Sequence, residues 1–270
     1  MLRCGAGLIG LLVPCVALAQ SLPPPEFHAS YQTYAAGLPV AEVDSGFSLG
    51  QRQYRMKLDY RTTGVAAWFI GGHQSDSVIG TWSGEQALPT RFVGKGQWHG
   101  EHRMVEIDYT RHKPEVRRLV PLNLDDREPV PDALKADSID RLSAVAELIR
   151  IVQDTGHCET TVRTYDGRRA IEIEAHTVGN ETLEPTERSS FAGKTLRCDF
   201  SGRLIAGFKS GGDRAREGKP MHGSAWLAKL AADAPLVPVR MAFETRWFGD
   251  ATMYLTEIGP GFDLKVAKGD

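Results

Sequence analysis

The sequence predicts a mainly β protein: an antiparallel curved sheet forming a barrel or half-barrel, with one amphipathic helix near residues 137–154. Three observations carry that prediction. Apolar and polar residues alternate with a period of two in segment after segment, which gives each strand one buried and one wet face. These segments recur along the chain at roughly 8- to 12-residue spacing, with turn residues between them. Only the 137–154 stretch carries apolar residues at the three-and-four spacing of a buried helix face. A sandwich is the other architecture that this pattern allows.

The chain of 270 residues opens on a different kind of segment. Arg3 precedes the apolar run "GAGLIGLLVPCVAL" (5–18), and "ALA" (17–19) puts small residues at −3 and −1 of a cleavage before Gln20. This is the pattern of a secretory signal peptide (1–19), cleaved near Ala19, and too short to span a bilayer comfortably. Cys15 follows "LVP", which lacks the small residues that a lipidation signal places before its cysteine. Residues 20–270 read as a single β-rich domain, with no apolar run long enough to cross a membrane. Cleavage removes Cys4 and Cys15 and leaves Cys158 and Cys198. Two cysteines in an oxidising compartment are most simply one disulfide, which closes a loop of roughly 41 residues and is worth about 4 kcal/mol in the chain-entropy model.

The strands follow in order. "AEVDSGFSL" (41–49) sets Ala41, Val43, Ser45, Phe47 and Leu49 on one side, and "GQRQ" (50–53) links it to "YRMKLDYR" (54–61) as a hairpin. In the second strand Tyr54, Met56, Leu58 and Tyr60 oppose Arg55, Lys57, Asp59 and Arg61. "AAWFIGG" (66–72) breaks the alternation, with Trp68, Phe69 and Ile70 in a row. It reads as a buried corner or barrel end, or as an apolar lip at the mouth of a cavity. "HRMVEIDYT" (102–110) turns Val105, Ile107 and Tyr109 inward, and the proline-rich "PLNLDDREPVPD" (121–132) reads as an irregular crossing.

The helix, "DSIDRLSAVAELIRIVQD" (137–154), aligns Ile139, Leu142, Val145, Ile149 and Val152. Asp137 is its expected N-cap, Asp140 its N3 partner, and Gly156 its stop. "ETTVRTY" (159–165) and "RAIEIEA" (169–175) flank Asp166-Gly167, the preferred pair for a two-residue type I′ turn. Near the end, "VPVRMAFETRW" (237–247) turns Val237, Val239, Met241, Phe243 and Trp247 to one face, and "FGDA" (248–251) leads into "TMYLTEI" (252–258).

No residue pattern names a reaction. "GFSLG" (46–50) matches a nucleophile motif, yet its serine lies within an alternating strand instead of a strand-to-helix elbow. The histidines of "HGEH" (99–102) and "RHK" (111–113), with His73, have no metal-ligand spacing on a helix and read as solvated. Paired carboxylates occur in "LDD" (124–126) and at Glu172 and Glu174, in a loop and on a wet strand face. There is no phosphate-binding glycine motif, and a net charge of −2 gives no basic field for nucleic acid or anionic lipid. No catalytic residue, metal ligand or cofactor is expected.

The order of several motifs resembles a bacterial exported family, the domain of unknown function 3108. They are "YQTYAAGLPVAE" (31–42), "TTG" (62–64), "DRLSAVAELI" (140–149), Cys158, "YDGRR" (165–169), Cys198 with the later "AGF" (206–208), and "PLVPVRMAFET" (235–245). One departure is Arg141, where the family often has proline after the aspartate. The resemblance implies a periplasmic, mostly β protein and transfers no catalytic residue. The barrel it suggests is lipocalin-like or lipoprotein-carrier-like.

Three function classes follow. The first is a non-enzymatic envelope protein that binds a lipid or other apolar ligand, because the inward residues are rich in aromatics and methionine. Its ligand-facing candidates are Tyr54, Met56, Tyr60, Trp68, Phe69, Met241 and Phe243. The second is a scaffold in envelope or polysaccharide assembly that offers a sheet edge or the Trp68–Phe69 lip to an envelope protein partner. The third, an enzyme, requires a cleft where a carboxylate, histidine or serine converges with neighbours that perturb it.

Overall fold

The alternating segments all become strands of one sheet. In the computed structural model, which describes residues 25–122, 126–230, 234–245 and 249–261, a first meander holds β1 (Phe27–Ala35), β2 (Leu38–Leu49) and β3 (Gln53–Thr62). After a short helix α1 (Gly64–Ile70) it continues through β4 (Gly72–Ser83), β5 (Gln86–Trp98), β6 (Glu101–Thr110) and β7 (Lys113–Val120). A crossing carries α2 (Asp132–Lys135) and α3 (Arg141–Thr155). The second meander is β8 (Thr160–Tyr165), β9 (Ala170–Leu183), β10 (Gly193–Ala206), the single-turn α4 (Arg214–Glu217), β11 (Met221–Lys229), β12 (Leu236–Thr245) and β13 (Gly249–Pro260).

The 13 strands lie in the order β7-β6-β5-β4-β3-β2-β1-β13-β12-β11-β10-β9-β8, all antiparallel. The first and last strands are therefore neighbours at the sheet's centre, with Phe27 opposite Pro260. The edges β7 and β8 lie at the two ends of this order, yet they almost meet. The β8–β9 turn packs at Gly167 against Val105 of β6 and Leu119 of β7, and the Arg168 guanidinium donates to the Pro121 carbonyl. The result is a nearly closed barrel. Its outer face carries the charged half of each alternation, as in the Lys57–Asp59 and Arg203–Glu172 ion pairs.

The helix fills part of the interior. It packs on β3, β4, β5, β8 and β12, and Glu147 accepts the Ala87 backbone N–H at 2.8 Å. The helix starts three residues later than the sequence suggests. Asp140, not Asp137, is the N-cap: its carboxylate accepts from the N–H groups of Leu142 (2.9 Å) and Ser143 (3.0 Å). Asp137 instead takes a left-handed conformation (φ 58°) and donates its N–H to the His112 carbonyl. Ile139 forms a parallel bridge with Thr164 of β8, so tertiary pairing draws these residues out of the helix. Gly156 ends the helix in the left-handed conformation, as expected.

The β8–β9 hairpin also differs from expectation at its turn. Tyr165 pairs with Ala170, so the loop has four residues instead of two. The Asp166 side chain closes it by accepting the N–H groups of Arg168 (3.0 Å) and Arg169 (2.7 Å), local hydrogen bonding that a type I′ turn lacks. Cys158 and Cys198 are disulfide-bonded and fully buried, with their Cα atoms 6.0 Å apart. The bond ties the chain just beyond α3 to β10. The signal peptide with its cleavage near Ala19, Cys4 and Cys15, Leu124 and Asp125 of "LDD", and Trp247 lie outside the described residues.

Candidate functional site

Helix α3 does not occupy the whole interior. Between it and the inner faces of β1–β4, β12 and β13 lies an open chamber of about 550 Å³. Met56 and Tyr60 on β3 and Met241 and Phe243 on β12 line it, and α3 covers it with Leu142, Val145 and Ile149. Val145, which the helical spacing assigns to a buried face, is 39 % exposed because it looks into this space. Tyr60 stacks on Trp98 at 5.7 Å between ring centres and completes an aromatic wall.

The remaining candidates lie elsewhere. Tyr54 belongs to the packed core, where its hydroxyl hydrogen-bonds Ser143 at 2.7 Å. Ser143 in turn donates to Asp140 at 2.5 Å, and all three residues are buried. Burial raises the Asp140 carboxyl to about 6, against the opposing pull of the Ser143 hydroxyl and the helix N–H groups. "AAWFIGG" forms the end of β3–β4 connection as helix α1, not a buried corner: Trp68 is 85 % exposed, while Ala66 two residues earlier lines the chamber. Phe69 is on the same helix, and its side chain falls outside the description.

The chamber has one polar region that the residue patterns did not flag. Asp76 on β4 is 1 % exposed and forms an ion pair with Arg141 at 2.5 Å, while Gln74 donates to it at 2.8 Å. All three line the chamber. Burial raises the Asp76 carboxyl above the usual range, and Arg141 and Gln74 offset part of that rise. Opposite them on β5 stand Gly94 and Gly96. A Cβ at Gly94 would lie 2.8 Å from the Asp76 carboxylate, and one at Gly96 2.4 Å from the Gln74 amide oxygen, so the glycines make room for this pair. The available signals were a charged residue at an inward position of β4 and a Gly-x-Gly on one strand face.

The other chemical residues are dispersed. Ser48 is inside β2, and His99 and His112 are exposed in the β5–β6 and β6–β7 turns. Glu172 pairs with Arg203 on the outer face. Among the described residues no group of three or more His, Cys, Asp or Glu side chains is placed to hold a metal ion. No described helix is long and apolar enough to cross a membrane.

Fold and chamber together define a β-barrel-like protein with an open, largely apolar interior. The chain belongs to the family described as protein of unknown function (DUF3108), whose model matches residues 27–256. Among solved structures it is similar to a beta-barrel-like protein of domain of unknown function DUF1849 from Brucella abortus, with 12% identity and a TM-score of 0.50 over 90% of this chain and 100% of that one. At that identity the likeness shows the fold alone. A Vibrio parahaemolyticus domain named for outer membrane lipoprotein sorting aligns over 89% of this chain and 87% of its own, at 9% identity. Its TM-score of 0.26 is too low to support a conclusion. No curated protein matches the chain significantly.

Proposed function

We propose that this protein is an exported, non-enzymatic binding protein of the periplasm that holds a lipid or another apolar ligand in the chamber beneath α3. The observation that carries this reading is the chamber itself. Its volume of about 550 Å³ falls in the range of small-molecule sites, roughly 300–1,000 Å³. Its walls are apolar apart from a few convergent polar groups, the composition that such sites share. The disulfide supports an oxidising compartment.

Native mass spectrometry of gently purified protein is expected to show a co-purified apolar molecule. The delipidated protein should brighten the fluorescence of the neutral probe N-phenyl-1-naphthylamine. Ala251, 2 % exposed and lining the chamber, gives a variant that fills it. Ala251→Phe, or Leu58→Trp if the first misfolds, should abolish probe binding. A protein that carries no apolar molecule and ignores the probe would refute the proposal.

A second reading rests on Trp68. A tryptophan this exposed beside the chamber suits a docking lip for an envelope partner. Trp68→Ser should then lose a partner captured by the wild type, and an unchanged set of partners with intact folding would remove Trp68 from any interface.

A further inference from the structure

The wall formed by Met241 and Phe243 has a second side. Both residues also line another open space of about 470 Å³, further around the barrel against β9, β10 and β11. Its floor is apolar, with Ile171, Ile173, Phe200, Leu204 and Met221, none of them fully buried. The two spaces therefore adjoin along the inner face of the sheet, with Met241 and Phe243 between them, as an apolar trough.

The second part differs from the first at its rim, where Arg127, Arg169 and Lys219 gather. Arg127 is set there by long-range pairing. Residues 126–128 run beside the β10–β11 loop through hydrogen bonds from Glu128 N–H to the Phe208 carbonyl (2.9 Å) and from Ser210 N–H to the Asp126 carbonyl (3.1 Å). The guanidinium of Arg127 donates to the Gly207 carbonyl at 2.7 Å. Gly207 cannot be replaced here without strain: its φ is +80°, and a Cβ would lie 2.1 Å from the Arg168 carbonyl oxygen.

The cations at this rim are not all ion-paired, although the carboxylates Glu217 and Glu244 line the same space. Arg169 is engaged by Asp166 at 2.7 Å. The rim carboxylates accept backbone N–H groups, Glu217 from Lys209 (3.1 Å) and Glu244 from His222 (3.0 Å). Among the described residues, neither Arg127 nor Lys219 forms an ion pair. Arg127 is also partly desolvated, and that burial, followed by the neighbouring charge of Arg169, lowers its pKa against the opposing pull of Asp126, Asp166 and Glu217. A half-buried guanidinium outside any ion pair, at the end of an apolar trough, is placed to receive an anion.

We propose that Arg127 and Lys219 form a head-group site for the carboxylate or phosphate of a long-chain anionic amphiphile, whose tail passes Met241 and Phe243 into the chamber under α3. This rests on the binding role proposed above and specifies the ligand's chemistry. A single-chain amphiphile matches this layout, because among the described residues the lining cations outside any ion pair lie in the second space, whereas Arg141 in the first is paired with Asp76. The Asp76–Arg141 pair under the helix is already neutral and offers no competing site for an anion.

Displacement of N-phenyl-1-naphthylamine tests this with three probes: hexadecanoate, palmitoyl lysophosphatidylglycerol and neutral hexadecanol. The wild type should bind at least one anion about tenfold more tightly than hexadecanol, the gain of one charge-assisted hydrogen bond. The better anion identifies the head as carboxylate or phosphate. Arg127→Gln with Lys219→Gln should remove the preference and leave hexadecanol affinity unchanged. If that pair fails to fold, Lys219→Gln alone, at an exposed position, should reduce the preference at least threefold. Equal affinity for anions and alcohol, or a preference that survives the substitutions, would overturn the head-group site while leaving the apolar chamber standing. Failure of hexadecanol and the fluorescent probe to bind at all would overturn both.

Discussion

Asp140 combines two tasks that conflict. It caps α3 with a carboxylate, yet it sits at 1 % exposure, where charge is disfavoured. Its folded value of about 6 stands above the ordinary 3.8, so the folded protein holds this proton more tightly than the unfolded chain does. The stabilisation is therefore fully present below pH 3.8 and is lost as the pH rises through 6. A rise of this size corresponds to about 3 kcal/mol. Asp140→Asn keeps the cap acceptor and cannot ionise. The stability of wild type relative to this variant should fall by up to about 3 kcal/mol between pH 4 and 7, measured by urea unfolding at each pH. A difference that stays flat over that interval would show that Asp140 is not perturbed. Asp76 and Glu147 are raised by the same cause, so α3 rests on several carboxylates in which burial disfavours charge.

Among the elements, α3 depends on what holds its far end. The disulfide fixes the chain two residues past Gly156 to β10, and Val152 and Leu227 pack with the two cysteines. With a sequence separation of 40, replacing both cysteines by serine is expected to cost about 4 kcal/mol in the chain-entropy model. Amide exchange should quicken first in the last turn of α3, and unchanged unfolding in the variant would refute the anchoring role. The same elements show what a sequence can display. Strands β3, β6, β9 and β12 were legible because one face meets the core and the other meets water, so each residue records its own side. Helix α1 has seven residues, too few to show a period, and Thr63 makes no side-chain cap. The helix start was misplaced because Asp137 and Ile139 answer to His112 and Thr164, partners distant in sequence. Met56, Tyr60, Met241 and Phe243 could be chosen from alternation alone, whereas Arg127 reaches the trough only because its segment lies beside residues 207–210. Nothing within a local window reports such a juxtaposition.

At the scale of the whole molecule, two meanders are joined covalently through the crossing at 121–159, touch where the β8–β9 turn packs on β6 and β7, and are seamed by the β1–β13 pairing. The barrel wall is continuous through that seam, so the trough on its inner side does not depend on where the chain is cut. Phe27 and Pro260 face each other, and the β4–β5 turn at Gly84 and Glu85 is exposed. A circular permutant of residues 26–261, with its ends bridged by a short glycine-serine linker and new termini opened between Gly84 and Glu85, should fold cooperatively and form the same disulfide. It should also bind the naphthylamine probe as the unpermuted protein does. A permutant that aggregates or unfolds without a sharp transition would mean that strand order in time, and not only in space, is needed to build the wall. If it folds, the polypeptide is in effect a necklace of hairpins, and the clasp can be moved to another link without altering what it encloses.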